Sequence, residues 1–156
     1  MVLPYFTPSG TPYFDLTTGA AILGLRLSTT RTEIYRVLLE GVAMEMRLNL
    51  EILAEAGCAV QELRLVGGGA RSSRWNQLRA DVLGRELQVT DTVEAGCAGA
   101  ALLARTAATR ESGLILAKRW AGVMGIYRPD PERWEFYQDK FTRYRDVYPA
   151  LAQLRI

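Results

Sequence analysis

The stretch Glu62-Leu63-Arg64-Leu65-Val66-Gly67-Gly68-Gly69-Ala70-Arg71-Ser72-Ser73-Arg74-Trp75-Asn76-Gln77 constrains this chain more than any other. Leu63 and Leu65 alternate with Glu62 and Arg64, the period of a half-buried strand. Three glycines in a row then allow backbone conformations that a Cβ would forbid, and they let another molecule approach the main chain. Ser72 or Ser73 can cap a following helix, of which Trp75, Leu78 and Val82 form one face. A strand, a glycine turn and a helix start expose free backbone N–H groups, a setting suited to a phosphate, a ribose or a base edge. A tight structural turn in an α/β sheet is the competing reading.

Several function classes are closed to the chain by its composition. There is no histidine, so an imidazole base, a Ser-His-Asp triad and a histidine metal ligand are all excluded for the chain on its own. The 19 basic and 17 acidic residues leave a charge of +2, and no basic run concentrates it, so no nucleic-acid partner is expected. No apolar run is long enough to span a membrane, and the N-terminus lacks the pattern of a signal peptide. Cys58 and Cys97 match no metal or redox spacing. Set among Ala and Gly, they are expected to be buried, reduced thiols of a cytoplasmic protein. At 156 residues the whole chain, 1–156, is expected to be one domain.

Residues 1–18 carry Pro4, Pro8 and Pro12 among Tyr5, Phe6, Tyr13 and Phe14, too aromatic for a free tail and too proline-rich for a helix. They read as an extended segment lying against something, and as the cut edge of a larger protein. A strand is expected over 20–27 with Gly24 inside it, marking a bulge or a close backbone approach. Thr30 and Glu33 form a capping box for a long helix whose stripe is Ile34, Leu38, Val42, Met46, Leu50 and Leu53, ending at Gly57. Gly41 inside it costs about 1 kcal/mol relative to alanine and predicts a close helix neighbour.

After the glycine turn, a helix is expected from about Ser73 to Leu83, stopped by Gly84, and then a strand over Glu86 to Thr90. Asp91 to Ala104 reads as a helix with a face of small residues packed tightly on a sheet. A short helix over Leu114 to Trp120 and a strand over Val123 to Tyr127 follow. Asp130-Pro131 starts a last helix, and its Trp134, Tyr137, Phe141, Tyr144 and Tyr148 seam packs on its own domain. A homodimer contact is the alternative role for the seam. Pro149 ends or kinks that helix. Strands alternating with helices argue an α/β class with a layered core.

Two nucleotide motifs are quickly weighed. GxxxxGK[ST] is absent, so there is no P-loop. The dinucleotide pattern GxGxxG is met at Gly67 and Gly69 but has Ser72 in the third place, with Asp91 near the position of a ribose-binding acid. A Rossmann-type NAD domain therefore stays open as a lesser alternative.

The run Gly67 to Gln77, followed by Ala80-Asp81-Val82-Leu83-Gly84, closely resembles the C-terminal domain of the FGGY family of carbohydrate kinases, nearest its xylulokinase-like branch. Leu3-Pro4-Tyr5, Gly10-Thr11-Pro12, Asp15 and Gly24-Leu25 resemble that domain's opening segment. Leu39-Glu40-Gly41-Val42-Ala43, Glu94 to Ala101, and Pro129-Asp130-Pro131 with Tyr137, Tyr144 and Tyr148 continue the match in order. Gly19-Ala20 stands where the family commonly has Arg-Gly, and Arg36-Val37 where it has Arg-Ala.

The resemblance implies an actin-like ATPase, ribonuclease-H-like domain, a mixed sheet with packed helices. Two such domains close on ATP and a sugar or polyol, and the γ-phosphoryl passes to a hydroxyl with Mg²⁺. It implies that Gly67, Gly68, Gly69 and Ala70 lie against adenosine, Ser73 near the base and Gly24 toward the phosphates. It also implies that the sugar-binding domain and the catalytic aspartate lie upstream of everything here. Residues 1–18 would then face that domain, and the chain would be an inactive C-terminal fragment. Within the chain, Asp15 reads as a turn or cap residue, while Glu40 and Glu94 read as buried structural carboxylates; no catalytic or metal-binding residue is assigned. A non-catalytic nucleotide-binding or regulatory module of the same fold is the alternative.

Overall fold

The computed structural model describes residues 1–7, 9–92, 94–120 and 122–154. Pro8 of the opening segment and Val93 of the small-residue helix fall outside the described residues. A long helix, α1 (Arg31–Glu55), is the element on which the rest is laid. Thr30 and Glu33 close the expected capping box, and the helix stops at Ala56, just before Gly57 turns the backbone at φ +81°.

The buried side of α1 is not the apolar stripe of the sequence. Glu40, Gly41, Ala43, Met44, Arg47 and Leu48 are buried, whereas Val42 and Leu53 are each 43 % exposed. Two polar anchors turn the helix this way. The buried Glu40 carboxylate accepts from the Tyr137 hydroxyl at 2.9 Å and from Arg36 at 2.9 Å, and it pairs with Lys140. The Arg47 guanidinium lies 4.4 Å over the Trp134 ring and 4.1 Å over Phe141, with Glu51 at 3.1 Å. Tyr137 and Lys140, like Trp134 and Phe141, sit on α5 (Pro131–Tyr144), so charge pairing and cation–π contact decide which side of α1 meets it. The predicted aromatic seam is confirmed as internal packing: Tyr137, Phe141 and Tyr144 are buried.

Gly41 does have a close neighbour, but it is a strand. A Cβ there would lie 2.6 Å from the Val2 carbonyl oxygen of β1 (Val2–Leu3), which pairs antiparallel with β2 (Ala21–Ile22). Gly24 follows β2 instead of interrupting it; its φ of +79° ends the extended run that the sequence carried on to Leu27. The opening segment is partly docked on its own domain. Tyr5 donates to Glu45 at 2.9 Å, Tyr13 stacks on Tyr148 at 3.6 Å, and Asp15 accepts from Thr17, Thr18 and Tyr148, the turn role expected of it.

The second sheet runs β3 (Arg64–Leu65), β4 (Leu87–Thr90), β5 (Val123–Tyr127). β3 and β4 are parallel and joined through α2 (Ser73–Leu83), and β5 is antiparallel to β4. Between β4 and β5 lie α3 (Ala95–Thr109) and α4 (Gly113–Trp120). The small-residue helix therefore starts later and runs longer than expected. No described residue of α3 is buried; Ala98, Gly99 and Leu102 instead line an open cleft of about 220 Å³ with Val66 and Thr90. Glu94 is exposed at its N-cap and makes no side-chain cap bond, unlike the buried carboxylate expected.

The last helix breaks earlier than Pro149. α5 ends at Tyr144, and Pro149 sits in the first turn of α6 (Val147–Leu154), where no intrahelical N–H is required. Cys58 and Cys97 are both exposed free thiols, because the flanking small residues lie at a helix end and on the open face of α3. No helix among the described residues is long and apolar enough to cross a membrane.

Candidate functional site

β3 delivers the chain into the glycine turn. Gly67 sits at φ +81° and ψ −175°, a region open almost only to glycine. Gly68–Arg71 forms a single 3₁₀ turn, and Ser72 caps α2 by accepting from the Trp75 N–H. The turn is fastened from beneath by two polar residues of α2. The Asn76 side chain, 1 % exposed, donates to the Ala70 carbonyl at 2.8 Å. Arg79 donates to the Gly69 carbonyl at 3.4 Å and to Asn76 Oδ1. Burial lowers the Arg79 pKa, and its guanidinium lies 4.9 Å over the Trp75 ring.

Sequence reasoning missed Asn76 and Arg79. Their signal was present: polar side chains at the buried positions of an amphipathic helix directly after a glycine turn. With the two carbonyls held from below, the turn presents its other side outward. A Cβ on Gly68 would meet nothing within 4 Å, and one on Gly69 would meet only Trp75 Nε1 at 3.9 Å.

That outward side opens on a cleft of about 700 Å³ between α1 and α2. Gly69, Ser72, Arg74 and Trp75 form one wall, and Thr32, Tyr35, Arg36 and Leu39 of α1 form the other. Arg133 and Asp81 close it, with Asp81 only 1 % exposed and held by Arg133 at 3.2 Å, by Gln77 and by the Asp130 N–H. Arg74 adds positive charge to this cleft, whose Arg36 and Arg133 are already paired with Glu40 and Asp81, while Trp75 and Tyr35 offer flat apolar faces.

The sequence-predicted residues are only partly brought together. Gly67, Gly68, Gly69 and Ala70 form one turn, of which Gly69 lines the cleft and Ala70 is buried behind it. Ser73 is exposed at the first position of α2, and its neighbours Ser72 and Arg74 are the ones on the wall. Gly24 lines a different cleft of about 380 Å³, with Leu23, Glu33 and Lys140. Arg36 borders both.

At the inner end of these clefts, burial pushes the Glu40 pKa up, but Lys140, Arg36 and the Tyr137 hydroxyl outweigh it and hold the carboxyl below the usual range. Burial raises the Tyr137 pKa to about 12. The Tyr137 hydroxyl and the Glu40 carboxylate are bound to each other. No group of three His, Cys, Asp or Glu able to hold a metal exists among the described residues.

The glycine turn, the parallel β3–α2–β4 crossover and Asp91 after β4 reproduce the local layout of a dinucleotide-binding unit. The next strand, β5, then runs antiparallel to β4, which a doubly wound parallel sheet would not do. Comparison with known proteins decides the class. Residues 1–108 match the model of the FGGY family of carbohydrate kinases, C-terminal domain, and the chain belongs to this family.

It is 32 % identical over 153 residues to xylulose kinase of Escherichia coli (strain K12), covering 97 % of this chain and 32 % of that protein. It is 35 % identical over 127 residues to L-fuculokinase of the same organism, covering 81 % of this chain and 23 % of that protein. A xyloylose kinase from Brucella ovis superposes with a TM-score of 0.87 at 31 % identity, over 99 % of this chain and 32 % of the other. Plasmodium falciparum glycerol kinase with ADP shares the fold, with a TM-score of 0.77 at 20 % identity over 97 % of this chain and 30 % of that one. The chain spans about a third of the length of the curated xylulose kinase that it matches.

Proposed function

We propose that this chain is the ATP-binding domain of a carbohydrate kinase, one that transfers the γ-phosphoryl of ATP to a hydroxyl of a xylulose-like sugar or polyol. The observation that carries this reading is the pinned Gly67–Ala70 turn on the wall of a cleft that combines arginines with aromatic faces. The open space over Gly68 and Gly69 fits a flat adenosine, which needs backbone without side chains beside it. Trp75 and Tyr35 supply apolar contact for the base, and Arg74 supplies positive charge toward the phosphates beside the paired Arg36 and Arg133. Gly24 marks the more distant, phosphate-side end. An actin-like, ribonuclease-H-like architecture is the fold that goes with this role.

Phosphoryl transfer needs a carboxylate to receive the hydroxyl proton and a metal to neutralise the phosphates. Asp15, Asp81 and Glu40 do not fit either task. Asp15 is taken up by Thr17, Thr18 and Tyr148, Asp81 by Arg133, Gln77 and the Asp130 amide, and Glu40 by Lys140, Arg36 and Tyr137. We assign the base, the metal and the acceptor sugar to a partner domain that residues 1–18 face; among the described residues no group of three His, Cys, Asp or Glu comes together. Bound alone, this domain holds and orients nucleotide and performs no chemistry. Its place in the cell on this reading is the cytoplasm, where ATP and sugar meet.

Calorimetric titration of the folded chain with ADP tests the reading. Heat of binding is expected at millimolar nucleotide, with ADP preferred over NAD. Gly68→Val, whose side chain would enter the open space beside the turn, is expected to remove that heat while leaving helix content intact. No heat with ADP or ATP from a folded sample would sink it.

A further inference from the structure

Among the described residues two arginines are buried, and they are compensated differently. Arg47, 7 % exposed, pairs with Glu51 at 3.1 Å and lies against the Trp134 and Phe141 rings. Arg79, 8 % exposed, has no such carboxylate: burial alone lowers its pKa, and no other charge acts on it in either direction. One terminal nitrogen donates to two neutral oxygens, the Gly69 carbonyl at 3.4 Å and Asn76 Oδ1. Its Nε is buried without a hydrogen-bond partner, and the Trp75 ring covers the guanidinium at 4.9 Å.

Packing does not require a cation here. A leucine or methionine would fill space under the turn without desolvating a charge, and a neutral amide would hold the Gly69 carbonyl. Position gives the charge a use. Arg79 reaches from α2 to the underside of the Gly67–Ala70 turn, whose other side is open at Gly68 and Gly69. A cation held in a low-dielectric setting acts across such a turn more strongly than an exposed one, which water and salt screen. Arg74 on the cleft wall is of the exposed kind.

We propose that Arg79 is a positioning residue whose missing counter-ion is the phosphate chain of the bound nucleotide. It holds the turn from below and, acting through it, favours nucleoside di- and triphosphates over the bare nucleoside. The inference rests on the nucleotide reading above and deepens it. Selectivity for the charged ligand is assigned to a residue that does not line the cleft.

Calorimetric titrations of the 156-residue chain with ADP and with adenosine test this in the parent, Arg79→Gln and Arg79→Lys. Glutamine keeps a donor for the Gly69 carbonyl and removes the charge, whereas lysine keeps the charge. The parent is expected to bind ADP more tightly than adenosine, and to keep that preference at about 0.5 M salt, since buried charge is screened little. Arg79→Gln is expected to cut the ADP-to-adenosine affinity ratio by roughly tenfold, the order that one partly screened unit charge contributes. Arg79→Lys is expected to retain most of the ratio, with helix content unchanged in both. The ratio is the deciding readout, because a turn that has merely loosened weakens both ligands alike. Equal weakening of ADP and adenosine in Arg79→Gln overturns the proposal, as does loss of the preference in Arg79→Lys. A parent preference that salt abolishes also overturns it, since exposed arginines would then be the source. A folded parent that binds both ligands equally overturns this inference alone, and one that binds neither overturns the nucleotide reading and this inference with it.

Discussion

The side-chain amide of Asn76 donates to the Ala70 carbonyl across 2.8 Å, tying the glycine turn to the helix that follows it. The bond is buried, and Asn76 in turn accepts from Arg79. Asn76→Leu keeps much of the volume but leaves the Ala70 carbonyl and the Arg79 guanidinium without this partner. Leaving such groups unsatisfied costs about 1–3 kcal/mol. Urea unfolding is expected to show a loss in that range, and titration with ADP a weaker affinity, because the turn is no longer held open.

Gly67 is the one glycine of the three whose own conformation excludes other residues. At φ +81° and ψ −175° an alanine is strained by about 1–3 kcal/mol. Gly67→Ala is therefore expected to lower the melting temperature, whereas Gly68→Val, at an open position without positive φ, leaves it nearly unchanged. The two variants separate a folding role from a binding role within one turn, and differential scanning calorimetry of both reads the contrast.

Glu40 is expected to govern the acid limb of stability. Its folded pKa lies below its ordinary value. Its contribution is therefore complete above that ordinary value and is lost as pH falls through the folded one. Glu40→Gln leaves Lys140 without its buried carboxylate, a change that costs about 3–5 kcal/mol when one member of a buried pair is removed. Urea midpoints measured from neutral to acid pH are expected to converge for parent and variant as the medium becomes more acidic.

Cys58 and Cys97 are expected to react with a thiol reagent in the native chain at rates close to those in denaturant, since both are exposed. Stopped-flow thiol titration checks this directly. Protection of Cys97 in a complex would show that the open face of α3 becomes covered there.

Most of the local architecture was legible in the sequence, because the signals are short-range. The Thr30–Glu33 box, the Ser72 cap, the αL Gly84 and the Asp130-Pro131 start each act within a few residues, and each helix start or stop lies where those groups place it. The strands Leu87–Thr90 and Val123–Tyr127 and the Gly67–Ala70 turn were legible for the same reason. The family was legible too, because its motifs run in order along nearly the whole chain.

The orientation of α1 was not legible. Apolar periodicity favours Val42, Met46, Leu50 and Leu53, yet Glu40 and Arg47 face inward because Tyr137, Lys140, Trp134 and Phe141 are brought to them from a segment about a hundred residues away. Nor could the sequence say that Asn76 and Arg79 hold the turn, or that Gly24 and Gly69 line separate clefts. By itself the sequence determined where the capped elements begin, where Gly57 and Gly84 stop their helices, and which family the chain joins, since capping, turn strain and motif order are local. Tertiary structure alone decided which faces are covered and which stay open, since burial depends on what distant segments bring to each face.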